Sequence, residues 1–307
     1  MHTPRLLLSS LIILSYALPL CAQDLPVNGK LTTTSTSPGV VFGGTALGSA
    51  SPDAGGVGNR MFWHPGKAAF RAGGVDATVN SGTSWDDVNI GQYSFAVGLS
   101  SIASGLGSIA MGRYASSRYY SVAIGDYTDA RESGLALGYG SKATGYDSCL
   151  AVGKGATATN GYSCAVGAFT KTPGWHAQAL GYYAEARSNE TIAIGANALA
   201  SNSAATAMGA YTLASGVRST ALGYSTTARG YATTVVGQFN AADAPNATQW
   251  IPADPLFIIG NGTGLASDPV SVKNRNAVVV YKNGNMDVSG KITMARQGDI
   301  LMGEFGN

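Results

Sequence analysis

The chain has 307 residues, a charged fraction of 12%, about half the share usual in soluble domains, and a net charge of only +2. No basic field steers it toward nucleic acid or anionic lipid. Its 42 glycines are roughly twice the usual share, but apolar residues recur at fixed intervals, which excludes a disordered low-complexity chain.

Residues 1–23 read as a signal peptide. His2 and Arg5 precede an apolar stretch from Leu6 to Leu20, too short and interrupted for a good membrane span, with cleavage expected near Ala22 or Gln23. Leu20 before Cys21 is a poor fit to a lipoprotein signal. Residues 24–90 form a non-repetitive leader and cap. It opens on a Thr/Ser stretch, Thr32–Ser37. Met61 to Arg71 reads as two short strands around the Pro65-Gly66 turn, and Trp85 to Ile90 as the cap of the coil that begins at residue 91.

Residues 91–240 repeat. A core of Ala, large apolar, Gly ends at Gly98, Gly112, Gly125, Gly138, Gly153, Gly167, Gly181, Gly195, Gly209 and Gly223, and a Val-Val variant ends at Gly237. Successive differences are 14, 13, 13, 15, then 14 six times. A period this short means a coil of near-identical turns. Each turn reads as two short strands, one centred on the Ala before Gly and one beginning about three residues after Gly, as in Ala156-Thr157-Ala158. The fold class is therefore all-β, a parallel β-roll solenoid with β-rich capping segments at both ends. Turns stacked at about 4.8 Å make a segment roughly 50 Å long.

Alternation separates the apolar column from the Ala column. The Ala column is Ala110, Ala123, Ala136, Ala151, Ala165, Ala179, Ala193, Ala207 and Ala221. We read it as the surface that meets another copy of the chain; the alternative is that Ala fits a narrow interior. Cys149 and Cys164 lie on adjacent turns, one strand position out of step, and read as two buried free thiols on opposite faces. The tail, residues 241–307, carries strand-like runs at Leu256–Ile259 and Ala277–Tyr281, the latter followed by an Asn283-Gly284 hairpin signal before Met286–Met294.

At Ser108-Ile109-Ala110-Met111-Gly112, Ser121-Val122-Ala123-Ile124-Gly125 and Thr191-Ile192-Ala193-Ile194-Gly195, with Ala198 and Ala200 following, the chain resembles the head of trimeric autotransporter adhesins of the YadA type. The resemblance covers residues 91 to 240. It implies a left-handed roll, a homotrimer, and a surface that binds matrix, cell-surface or glycan ligands outside the cell. The chain departs from that family after residue 240, where no apolar heptads and no four-strand anchor are readable, so no transmembrane anchor is expected in this chain.

No catalytic constellation, cofactor motif or metal site is readable. His64 and His176 are scattered, and Trp175-His176 reads as turn packing; Asp86-Asp87 reads as a solvated turn or cap. The expected function is non-enzymatic adhesion. A fibre or spacer segment is the alternative, and a flat array such as an ice-binding surface, suggested by Thr206, Thr220 and Thr234, is the weaker third. Tyr139, Tyr182 and Tyr224, each directly after a repeat Gly, are the candidate ligand contacts.

Overall fold

A computed structural model describes residues 56–242 and 245–290; the expected signal peptide, residues 1–23, the Thr32–Ser37 stretch and the chain beyond residue 290 lie outside them. The described residues are all-β apart from two single 3-10 turns, Asn80–Gly82 and Asp87–Asn89. The repeats wind into a parallel β-solenoid. The strand ending at each repeat Gly joins a 16-stranded sheet, called the long sheet, and the two-residue strand after it joins a 10-stranded second sheet. Turns stack in step, with Ala151 beside Ala165, Ala165 beside Ala179 and Ala179 beside Ala193.

The Ala column lies inside the coil. Ala110, Ala123, Ala136, Ala151, Ala165, Ala179, Ala193, Ala207 and Ala221 are each 0% exposed within a single chain. They pack with the alanines of the second sheet, such as Ala143, Ala158, Ala186 and Ala200. A fully enclosed methyl cannot touch another chain, so the reading of this column as the self-association surface is corrected. Two strands and two turns in 14 residues leave an interior for small side chains alone, alanines with Ser117 and Thr172 among them. The columns that do face outward from the long sheet flank the Ala: the apolar residue before Gly, and the residue two positions earlier.

The turns explain the remaining consensus. The hydroxyl four residues before Gly closes one edge by donating to the carbonyl three residues back, as Ser108 to Gly105 at 2.8 Å, Ser121 to Arg118 at 2.6 Å and Thr191 to Ser188 at 2.5 Å. Cys149 occupies this slot, its Sγ 2.9 Å from the Asn160 carbonyl oxygen. Cys164 occupies the next slot and faces outward, half-buried, which corrects its reading as a buried thiol; the two do indeed sit on opposite faces, both free. Partial burial raises the Cys164 thiol above its ordinary pKa. The repeat Gly is compelled twice over. At Gly195 φ is +127°, and a Cβ would stand 2.2 Å from the Gly209 carbonyl oxygen of the next turn.

Both ends of the coil are closed. An antiparallel hairpin, Gly58–His64 with Ala69–Val75, lays its second strand parallel to the first repeat strand. There Arg71 stands in register with Ala96 and is buried. Its guanidinium donates to the Ser94 hydroxyl at 2.8 Å and to the Phe70 and Ala103 carbonyls at 2.8 and 2.9 Å. Desolvation lowers its pKa to about 10, still charged at neutral pH. Trp85, later in the leader, is also buried and donates its indole N–H to the Ser101 carbonyl at 2.8 Å. At the other end the Ala column continues in register as Val235, then Ile258, then Val279. The strands Pro255–Asn261, Asn276–Tyr281 and Met286–Val288 finish the long sheet, the last two as a hairpin through Asn283-Gly284.

Two substitutions test this interior. Ala193→Glu is expected to prevent folding and not merely assembly, because an unpaired carboxylate in a methyl-wide space costs on the order of several kcal/mol. A soluble monomer with the parent's circular dichroism and melting midpoint would return the column to the surface. Gly195→Ala is expected to cost about 2–4 kcal/mol through left-handed strain and overlap with the next turn. A melting midpoint within a degree of the parent's would contradict that stacking.

Candidate binding surfaces

The coil presents three kinds of surface. The outward face of the long sheet is apolar. In its first turns both columns are apolar, pairing Ile109 with Met111, Val122 with Ile124, Leu135 with Leu137 and Leu150 with Val152. In later turns Gln178, Thr206, Thr220 and Thr234 enter one column, while Leu180, Met208, Leu222 and Val236 keep the other apolar. Met111 and Ile124 remain 37% and 39% exposed, so these side chains are stripped of water by nothing in their own chain.

The outward face of the second sheet is polar. One column carries Ser116, Asp129, Lys142, Thr157, Lys171 and Glu185, between Ile102 at its start and Leu199, Leu213 and Thr227 at its end. Ion pairs form within a strand, between residues two apart: Asp129 with Arg131 at 2.8 Å and Glu185 with Arg187 at 2.9 Å. Each pair raises its arginine's pKa, chiefly through the hydrogen bond from the guanidinium to the acid. Such exposed pairs contribute little stability, about 0–1 kcal/mol each; they mark this face as built for water.

The third surface is the edge where the chain turns after each repeat Gly. Tyr139, Tyr182 and Tyr224 all lie on it, several turns apart, and are not brought into one site. Each instead joins a local aromatic cluster. Tyr139 packs edge-on to Tyr127 at 5.8 Å, and Tyr127 to Tyr114 at 5.1 Å. Tyr182 joins Phe169 and Tyr183, the latter two stacked at 4.8 Å. Tyr224 lies between Tyr211 and Phe239, at 6.0 and 5.2 Å. Arg113 lies 5.3 Å from the Tyr127 ring centre, Lys154 5.6 Å from that of Phe169. The partners Tyr114, Tyr127, Phe169, Tyr183, Tyr211 and Phe239 went unread in the sequence. They sit two residues after Gly with φ between +42° and +60°, a conformation that favours Gly.

Tyr139 and Tyr182 are exposed, whereas Tyr224 is half-buried and its hydroxyl accepts the Ala266 N–H at 3.2 Å. Tyr224 therefore ties the coil to the C-terminal cap. On the opposite edge His176 stacks on Tyr162 at 5.3 Å, as turn packing. Asp87 holds the N-terminal hairpin: its Oδ1 lies 3.1 Å from both His64 Nε2 and Lys67 Nζ. The hydrogen bond from Lys67, then that from His64, draws the Asp87 carboxyl below its ordinary pKa. His64 Nδ1 accepts the Lys67 backbone N–H, so the ring proton is placed on Nε2, toward Asp87.

A family model described as the YadA head domain repeat, two copies long, matches residues 90–115, 132–148, 177–198, 200–226 and 214–240. Comparison with curated proteins gives no match. Among the described residues, no helix is long and apolar enough to cross a membrane.

The clusters predict unequal tyrosines. Tyr224→Ser is expected to cost about 1–3 kcal/mol, for a half-buried ring wedged between two others. Tyr139→Ser is expected to change stability by less than about 1 kcal/mol. Urea unfolding of the two variants checks this, and equal costs would remove Tyr224 from the cap.

Proposed function

We propose that this chain, whose coil is matched in five segments by the YadA head domain repeat, is an exported, non-enzymatic, adhesin-like protein that works as a homotrimer. One observation carries the reading. The long sheet turns two apolar columns outward, while the second sheet turns out charges and hydroxyls. A single coil leaves the first face wet at a cost of about 25 cal/mol per Å² of apolar surface. Three copies meeting through their long sheets cover it and leave the second sheets and aromatic edges to the outside. Ligand contact then falls to those outer surfaces, with the exposed Tyr139 and Tyr182 as contacts for a matrix, cell-surface or glycan partner.

The fibre or spacer reading is favoured by the aromatic clusters themselves, which staple successive turns together whether or not a ligand binds. The threonine column weighs against an ice-binding array. Thr206, Thr220 and Thr234 stand in register on the same outward face as Met208, Leu222 and Val236, the face the trimer covers.

The test separates the two sheets. Ile194→Glu, on the apolar face, is expected to yield folded monomers with the parent's circular dichroism. Lys142→Glu, on the polar face, is expected to keep the parent's mass by light scattering. A monomeric parent at micromolar concentration, or an Ile194→Glu variant that still forms trimers, would sink the assembly reading. Loss of attachment to a matrix or cell surface in the Tyr139→Ser, Tyr182→Ser double variant, with mass unchanged, selects adhesion over the spacer reading; retained attachment selects the reverse for this edge.

A further inference from the structure

The polar sheet carries a built cleft at its N-terminal end. The loop through residues 79–89 stands over the outward face of the first strands of the second sheet and borders an open cleft of about 510 Å³. This lies within the range of small-molecule sites, about 300–1,000 Å³. The loop wall offers Asn80, Thr83 and Asn89; the sheet wall offers Ser104, Ser116 and Arg118. Ile102 and the Tyr114 ring supply apolar surface. Arg118 is the one charged residue in the lining.

Arg118 and Arg229 are the two arginines of this slot with no acid two residues before them, and of the two only Arg118 lines this cleft. Two turns of the second sheet pair an outward arginine with an acid two residues before it, Asp129 with Arg131 and Glu185 with Arg187. In the turn of Arg118 the partner slot holds Ser116, in register with Asp129 of the next strand. Asp129 is engaged by Arg131, and the exposed Arg118 guanidinium has no ion pair among the described residues. Asp76, whose Oδ2 lies 3.5 Å from the Tyr114 hydroxyl, has Oδ1 taken by the N–H and O–H of Thr78, both at 2.8 Å. The loop wall is held in shape. Asn80 and Ser81 both take left-handed φ, 45° and 52°, and Asn89 Nδ2 donates to the Thr83 carbonyl at 2.7 Å.

We propose that this cleft binds a carboxylate-bearing sugar residue of an extracellular glycan. The planar guanidinium fork matches a carboxylate in bidentate fashion. Hydroxyls and carboxamides donate and accept, as the hydroxyls of a sugar ring require. The tyrosine ring and Ile102 give its C–H face something apolar to lie on. One cation, amid neutral groups, suits a monoanion better than a phosphate dianion. A uronic acid and a sialic acid share this chemistry. The inference rests on the reading that self-association covers the long sheet and leaves the second sheet open.

The probes are a glucuronate-terminated oligosaccharide, sialyllactose, and neutral lactose, titrated into the mature chain by calorimetry or ligand-observed NMR. At least one acidic sugar is expected to bind at least tenfold more tightly than lactose, and which one does so identifies the source. Arg118→Gln is expected to weaken that binding at least tenfold, while Arg187→Gln, in the same column several turns away, keeps the parent's affinity. No saturable binding of either acidic sugar up to about 10 mM, parity with lactose, or unchanged affinity in Arg118→Gln would overturn the proposal. Light scattering on the same samples keeps the readings apart. Arg118-dependent binding by a monomer retains the cleft and discards the trimer, and a trimer that binds neither sugar does the reverse.

Discussion

Everything in this molecule depends on how little room there is between its turns and between its sheets. The Gly112 amide donates to the Val97 carbonyl at 2.8 Å, Gly125 to Met111 at 2.8 Å, and the ladder continues turn after turn. For the backbones to pass this closely at the edge, the repeat Gly must have no side chain. For the two sheets to close over one another, the column before it must hold only methyls. The large apolar residues that a globular domain would bury are thereby forced outward. Hydrophobic burial within one chain is correspondingly poor, and the apolar surface left outside is what the proposed trimer would cover.

Much of this is written in the sequence because each slot of the turn imposes its own residue type. The period, the two strands per turn, the hairpin at Pro65-Gly66 and the one at Asn283-Gly284 are all readable from spacing and turn chemistry. The side of the sheet taken by the Ala column is not. Alternation separates Ala193 from Ile194 without saying which is inside, and the usual rule that the larger apolar residue goes inward gives the wrong answer here. Only the width of a two-strand turn decides it. The aromatic partners were hidden for a different reason. Tyr127 and Tyr183 occupy a left-handed position that usually marks Gly, and only stacking on the next turn's ring reveals why an aromatic serves there.

The ends obey the interior's rule by departing from it. Once the next turn is absent, methyls no longer fill the opening, and the column enlarges to Val235, Ile258 and Val279 at one end. At the other it becomes Arg71, whose length lets it reach the Ser94 and Ala103 carbonyls, each of which also accepts a backbone N–H. Phe70, Ser94 and Ala103 satisfy its two terminal nitrogens, while Nε is buried with no hydrogen-bond partner among the described residues. Lys282 plays a related part beside the C-terminal cap, its side chain fully enclosed near the Trp250 and Tyr231 rings and 4.0 Å from Asp254. Desolvation lowers its pKa, with the Asp254 charge acting in opposition.

A solenoid also offers an internal control that a globular domain lacks. Each slot recurs, so the structural demand on it is measured by the other turns, and a residue that departs without a structural partner stands out. Cys149 departs from serine yet still reaches the turn carbonyl, so its slot remains explained. Tyr224 departs from the exposed tyrosines because it holds the cap. Arg118 departs in the other direction. Its slot pairs Arg131 and Arg187 with acids, whereas Arg118 and Arg229 follow Ser116 and Thr227. Of the two, Arg118 stands where the loop through residues 79–89 rises over the polar sheet to make a roomy cleft. No ion pair among the described residues engages this cation, and the cleft places it where the proposed anionic sugar would meet it.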